Sequence, residues 1–468
     1  METKTADPGR GHERGQAPIV APVVVVGGGF AGLSAGVRLA ERGRRVVVLE
    51  ARARLGGRAT AFPDRDTGEI VDNGQHVMFG CYRETLAFLE LIGASGNISI
   101  QRSLNVPFIA PDGRRSRLAC PRWPAPLHLL GGILAWNAIP LTDRSSALRL
   151  APAMLRARGQ GLEALDAATR GLSVDAWLRT HGQSDQLITA LWEPLAIAAL
   201  NQPIAHAAAA PFVRVLAEMF GRDALASALV MPLTPLDEMY AVPARACIES
   251  RGGEVRTGAL ARVSVLESGR FAVDVRGTLE DDSARPDRIE ADSVIAAVPW
   301  HALRNLFPDP PSALQPTIDA ASAMTAMPIV TVNLWYDRVV MEEPFVGLSG
   351  RTIQWIFDKR QVFGERSSHL SLVVSAAEGL APLSRGELVA IAAREVAGAL
   401  PAAREATLLR ATVVRERQAT FSLRPDEPAR PPSRTPIPGL VLAGDWIATG
   451  LPSTIESAVL SGRRAADL

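Results

Sequence analysis

The 468-residue sequence is short of several things that would have narrowed its chemistry at once. Cysteine occurs only at Cys81, Cys120 and Cys247, never as CxxC, and no His/Cys cluster has metal-ligand spacing. That pattern argues against a disulfide scaffold or a structural zinc, and is read as a reducing, cytoplasmic setting with no metal. Lysine is nearly missing: Lys4 and Lys359 are the only two, so the 50 basic residues are almost all arginine. Charge of one sign is missing as well. The formal net charge of +1 provides no general field for attracting nucleic acid. No apolar run has the length of a transmembrane helix, the nearest being residues 126–141 (PLHLLGGILAWNAIPL), which contain two glycines and stop short. Residues 1–17 are polar, lack the apolar core of a signal peptide, and are read as a disordered tail.

What is present is an ordinary globular composition, 47% apolar and 21% charged, on a chain too long for one ordinary domain. Val23–Val26 is a β-branched run of the kind a buried parallel strand shows, residues 33–42 have helical spacing closed by Gly43, and 46–49 form a second buried strand. Residues 142–240 are Ala- and Leu-rich with helical spacing, interrupted by Pro194, Pro203, Pro211, Pro232 and Pro235. Strand patterns return at 253–265, 271–275, 294–298, 329–335 and 370–374, and at 440–443 before a last helix. The acidic stretch 280–287 is read as an exposed loop.

Gly27-Gly28-Gly29-Phe30-Ala31-Gly32 is a GxGxxG motif between that strand and that helix, which makes it a dinucleotide site and not a mere turn. Gly27 permits the turn, Gly29 lets a pyrophosphate approach the backbone, and Gly32 lets helix and strand pack closely. Phe30 and Ala31 lie within this turn, which leads into the helix whose N-terminal N–H groups face the phosphates. Glu50 ends the second strand, placed for ribose hydroxyls, and its charge disfavours a 2′-phosphate. Ala51 and Arg52 follow, then Gly56-Gly57-Arg58, where the glycine pair lets the chain fold back over the pyrophosphate and Arg58 offsets its charge.

At the far end, 440–443 lead into Gly444-Asp445, and Pro452-Ser453-Thr454-Ile455-Glu456 begins a helix. Ser453 and Glu456 have capping-box spacing. The partly positive end of such a helix suits negative charge on a flavin, with Asp445 on its ribityl or phosphate region.

The run from Glu50 to Arg58 resembles the extension seen in FAD-dependent amine oxidases and carotenoid desaturases. Val71-Asp72-Asn73-Gly74-Gln75-His76-Val77, Leu191-Trp192-Glu193-Pro194-Leu195, Gln354-Trp355-Ile356-Phe357-Asp358 and Gly444-Asp445-Trp446 narrow this further. Over residues 22–462 the chain resembles the hydroxysqualene dehydroxylases, FAD-dependent desaturase-like enzymes of bacterial hopanoid synthesis. The pair Ile447-Ala448 departs from the more polar pair expected there.

The resemblance implies an α/β fold: a discontinuous Rossmann-like FAD domain (18–80, 241–299 and 405–468) and a mixed substrate domain (81–240 and 300–404). The latter is expected to hold an antiparallel sheet and a helical insertion. The resemblance implies FAD as cofactor, with Gly74, Gln75 and His76 beside the flavin and backbone at Ala261 meeting the adenine. It implies reductive removal of a hydroxyl from a long isoprenoid, and association with other enzymes of squalene and hopanoid synthesis. His76 and Glu193 are the candidate acids. His76 stands against a reading as a ligand of the flavin edge or of a backbone carbonyl, Glu193 against one as an Arg-paired structural carboxylate. Trp177, Trp192, Trp300, Trp335, Trp355 and Trp446 are candidates for a polyene tunnel or for ordinary core. Residues 126–141 are either a segment touching the inner face of the membrane or a core helix. Rival readings are a carotenoid-type desaturase, an amine oxidase (for which Lys359 is the only lysine outside the tail) and a non-catalytic FAD scaffold.

Overall fold

The computed structural model describes residues 21–64, 68–159, 161–221, 223–277 and 287–468. The expected tail and most of the acidic stretch 280–287 lie outside these. The apolar runs read as buried strands come together in one five-stranded parallel sheet. Its order is Glu254–Thr257, Val46–Glu50, Val23–Val26, Ser293–Ala296 and Leu440–Leu442. Val23–Val26 is buried throughout because it is central, flanked on both edges and covered on both faces. The first helix, Phe30–Glu41, starts three residues earlier than the spacing predicted, since Gly29 is extended and already serves as its N-cap. Against it lies the last helix, Ile455–Asp467. Both ends of the sequence therefore build one nucleotide-binding half.

Two glycines set how close these elements come. A Cβ at Gly32 would stand 1.8 Å from the Gly27 carbonyl oxygen, and one at Gly462 would stand 2.0 Å from the Ala31 carbonyl oxygen. Neither contact is possible, so any side chain there forces helix from strand or helix from helix.

The second half is organised on a seven-stranded mixed sheet, in the order Leu408–Phe421, Ala326–Tyr336, Ser368–Val374, Trp355–Asp358, Phe345–Leu348, Asn105–Ile109 and Arg115–Ala119. Val330, Val332 and Leu334 point to one face and pack with Leu388, Ala392 and Val396 of the covering helix Arg385–Ala399. The helical layer predicted for 142–240 is present, with a short strand Leu229–Pro232 in it that pairs with Met78–Phe79 and Ile98–Ile100.

Two expectations change. The alternating run 253–265 is two strands, because Gly258 takes φ 67° and turns the chain from the parallel sheet into an antiparallel one beginning at Ala259–Val265. The division drawn at residue 405 falls before Leu408–Phe421, which pairs with Ala326–Tyr336 and so belongs to the seven-stranded sheet. Of the six tryptophans, five are buried in the core and Trp355 is half-buried between Phe108 and Phe345. Residues 126–141 contain a nine-residue helix, Leu127–Ala135, and among the described residues no helix is long and apolar enough to cross a membrane.

Replacing Gly462 by Val is expected to lower stability by about 3 kcal/mol, the upper range for overpacking a tight interface. Thermal denaturation of the purified protein measures this; an unchanged midpoint would mean the two helices have room that the backbone does not show.

Candidate functional site

The cradle is built from the GxGxxG turn outward. The first helix has no side-chain cap, so its first-turn N–H groups at Phe30, Ala31 and Gly32 have no acceptor within the helix and remain for an anion. Phe30 contributes only this backbone group, since its ring is buried and stacked on Tyr240 with centroids 3.5 Å apart. The Tyr240 hydroxyl in turn donates to the Gly56 and Ala59 carbonyls (2.8 and 3.2 Å), which holds the Gly56-Gly57 turn in place. Gly29 and Gly57 face each other: a Cβ on Gly29 would meet nothing nearer than the Gly57 Cα at 3.8 Å. The walls here are therefore bare backbone, as a pyrophosphate requires.

Glu50 is buried at the end of its strand and accepts hydrogen bonds from Gly28 N (2.7 Å) and Arg52 N (2.9 Å). A carboxylate has about four acceptor positions, so about half remain able to accept from a ligand's hydroxyls. Ala51 is half-buried at this turn, and Arg52 is exposed with its guanidinium on the Gly57 carbonyl. Ala261 lies buried on an edge strand of the three-stranded sheet.

The two ends of the chain meet in a network around Asp445. Its carboxylate pairs with Arg58 and accepts from the Ser453 hydroxyl. Arg58 thus gives part of its charge to Asp445, while its other arm donates to the Ala419 carbonyl. Gly444 N donates to Ser461 Oγ (2.8 Å), so this N–H is already used within the protein.

The Ser453/Glu456 capping box does not form. Thr454 is the N-cap and accepts from Ser457 N, leaving Ile455 to open the helix. Glu456 reaches away to the helix Arg83–Leu91, where it accepts from Glu84 N, Thr85 N and Thr85 Oγ1. Those donors are the unsatisfied start of another helix, and a buried carboxylate is drawn to three of them over one.

The Asp72–His76 segment holds what sequence reasoning missed. Lys359, fully buried, donates to Asp72 Oδ2 (2.9 Å) and Gln75 Oε1 (2.8 Å) and lies over the Phe363 ring at 3.7 Å. Asp72 Oδ1 also accepts from Leu236 N. Nothing local marks Lys359 as a partner of Asp72, which is 287 residues away. Its rarity in an arginine-rich chain was the one available signal. His76 is half-buried and its Nδ1 donates to the Gly74 carbonyl at 2.7 Å, leaving Nε2 as the acceptor. Burial lowers its pKa, so the ring is neutral at pH 7.

Glu193 and His76 share no hydrogen bond or charge interaction among the described residues. Glu193 opens the helix Glu193–Leu200, where burial, then the nearby Asp175, raises its pKa. Among the described residues it has no ion-pair partner, so the Arg-paired reading is not what the structure contains. At the other end, about 12 Å along the helix at 1.5 Å per residue, Asn201 bonds Met327, Thr420 and Ala376 of the seven-stranded sheet. Among the described residues no group of three or more His, Cys, Asp or Glu is placed to hold a metal.

A nucleotide cradle joined to a mixed sheet, assembled from both chain ends, defines a class of two-domain flavoenzymes. The chain belongs to the flavin-containing amine oxidoreductase family, whose model matches residues 30–468. It is an FAD-dependent oxidoreductase, and the bare backbone walls, free helix N-terminus and Glu50 fit that cofactor. Among relatives, the hydroxysqualene dehydroxylase of Sinorhizobium fredii is 31% identical over 458 residues, 95% of this chain and 97% of that protein. The 15-cis-phytoene desaturase of Solanum lycopersicum is 27% identical, over 95% of this chain and 76% of that one. A putrescine oxidase bound to putrescine shares the fold, with a TM-score of 0.71 at 19% identity over 96% and 98% of the two chains.

Lys359→Met leaves Asp72 buried without its cation, which is expected to cost about 3–5 kcal/mol and to loosen Gln75. Denaturant unfolding with FAD content measured alongside would show it. Full stability and full FAD content would mean the pair holds nothing.

Proposed function

We propose that this protein reductively removes the hydroxyl of hydroxysqualene to give squalene. The observation that carries this reading is the similarity to hydroxysqualene dehydroxylase along 95% of the chain, spanning both halves of the fold. In the reaction the C–O bond breaks with its electron pair on oxygen, the oxygen takes a proton and leaves as water, and the carbon takes a hydride. Bound FAD, in its reduced form, supplies that hydride and ends oxidised. The protein binds and orients a long apolar molecule, keeps water from the reacting carbon and delivers the proton. Glu193 is the proposed donor, because a carboxyl held above its ordinary range carries a proton closer to neutral pH. His76, neutral and with Nε2 as an acceptor, is the weaker candidate and serves to hold the Gly74 turn.

The similarity to a phytoene desaturase favours a second reading, polyene oxidation with electrons flowing the other way. The two separate in one experiment. The anaerobically photoreduced enzyme, mixed with hydroxysqualene, is expected to reoxidise with one squalene formed per flavin. Glu193→Gln is expected to slow this single turnover by about 10²–10⁴-fold, and His76→Gln by far less. Reduced flavin that persists, with the oxidised enzyme desaturating phytoene, would replace this reading by the second; a normal rate in Glu193→Gln would remove that residue from the reaction.

The same reading includes contact with a membrane, the source of so apolar a substrate. Supporting it are Trp123 (55% exposed), Leu127 (55%) and Leu141 (60%), with Leu148 and Leu155 also exposed, and exposed Arg122, Arg149 and Arg156 nearby. Apolar side chains with cations among them suit an anionic bilayer surface. Sedimentation with anionic liposomes is expected to carry down the wild type, and Trp123→Ser/Leu127→Ser several-fold less of it; equal partition of the two would remove the contact.

A further inference from the structure

A fully buried tyrosine is held in place by its hydroxyl or would be better as phenylalanine, which fills nearly the same volume with no polar group. Tyr240 is fully buried, and its hydroxyl has two acceptors, the Gly56 and Ala59 carbonyls at 2.8 and 3.2 Å. Both belong to one turn, closed by the bond from Ala59 N to the Gly56 carbonyl (3.0 Å). The two residues inside that turn are Gly57 and Arg58. The hydroxyl therefore clasps both ends of the turn that presents them. Burial, then the nearby Glu50 and Asp237, raises the pKa of the phenol, so it stays a donor.

The ring of the same residue reaches the other glycine turn. It stacks on Phe30 within 7° of parallel, and Phe30 is the first residue of the helix whose free N–H groups begin the cradle. The two turns also touch directly. Gly56 N donates to the Gly28 carbonyl (2.8 Å), and a Cβ on Gly57 would stand 3.3 Å from the Gly29 Cα. Tyr240 adds a second tie, and a stiff one, because a single planar ring spans from the helix start to both carbonyls.

An uncommon piece of backbone brings Tyr240 to this place. Asp237–Ala241 is a π-helical turn running into the helix Val242–Glu249. Such wide turns are rare and recur at functional sites. This one is pinned from outside at several points. Leu236 N, at its start, donates to Asp72 Oδ1 (3.2 Å), and its Glu238 and Met239 carbonyls accept from Asn97 Nδ2 (3.1 and 3.3 Å). The segment carrying Tyr240 is therefore fixed independently of the two turns that Tyr240 joins.

We infer that Tyr240 is a positioning residue for the pyrophosphate of FAD: it locks the Gly56–Ala59 turn onto the start of the first helix, so that the Gly57 backbone and Arg58 meet the phosphates already in place. A surface set in advance binds more tightly, because less has to be ordered when the ligand arrives. Tyr240 itself touches no phosphate; it acts through the turn. The role is the same whichever way electrons flow, and so stands apart from the dehydroxylase reading.

Binding tests it without turnover. Tyr240→Phe keeps the ring on Phe30 and removes only the hydroxyl. The full chain, stripped of FAD, is titrated with FAD, with ADP, and with adenosine in competition with ADP. ADP carries the two phosphates and adenosine carries none. Tyr240→Phe is expected to bind FAD and ADP each about tenfold more weakly, with adenosine unchanged. Phe30→Leu, which keeps the hydroxyl and withdraws the ring it leans on, is expected to show the same contrast at smaller size. Unchanged FAD and ADP affinity in Tyr240→Phe overturns the inference, even beside a lowered thermal midpoint, which would show the hydroxyl to be structural only. Equal losses for ADP and adenosine overturn it as well, since the variant would then loosen the whole cradle and not the seat of the phosphates.

Discussion

The buried pair between Lys359 and Asp72 is the constraint to which the central part of the molecule is fastened. Lys359 starts the helix Lys359–Phe363 after a strand of the seven-stranded sheet, and Asp72 ends a short strand that follows the nucleotide cradle. An ion pair this deep is sustained only when nearly every donor and acceptor is satisfied. Here the ammonium has a carboxylate, an amide oxygen and an aromatic face, and the carboxylate has the ammonium and a backbone N–H. The chain between Asp72 and His76 hangs from that arrangement. Its carbonyl at Gly74 then fixes the His76 tautomer.

A second fastening closes the cradle from the other side. Arg58 follows the glycine pair near the start of the chain, and Asp445 follows the last strand of the parallel sheet. Their pairing, with Ser453 on the same carboxylate, means that the Gly56-Gly57 turn and the start of the last helix are positioned together. The cofactor then meets a preorganised backbone surface, in which little has to be ordered on binding.

The parts of this that were legible in the sequence are those whose cause is local. The GxGxxG turn, its strands and Glu50 all lie within about thirty residues and obey periods that a linear reading can follow. What escaped is of another kind. Ser453 and Glu456 have the right spacing for a box, but Glu456 is claimed by three donors some 370 residues away. The alternation of 253–265 runs unbroken through Gly258, where the chain nevertheless leaves one sheet for another.

The contact of Gly462 with Ala31 bears on how the protein is made. The first strand and its glycine turn leave the ribosome early, yet the last strand and helix that complete their half come more than four hundred residues later. Until then the nascent parallel sheet has an open edge at Ser293–Ala296, and the first helix has an uncovered face. The Arg58–Asp445 pairing that closes the cradle therefore forms only after Asp445 has been made, and until then that edge is open to pairing with other strands.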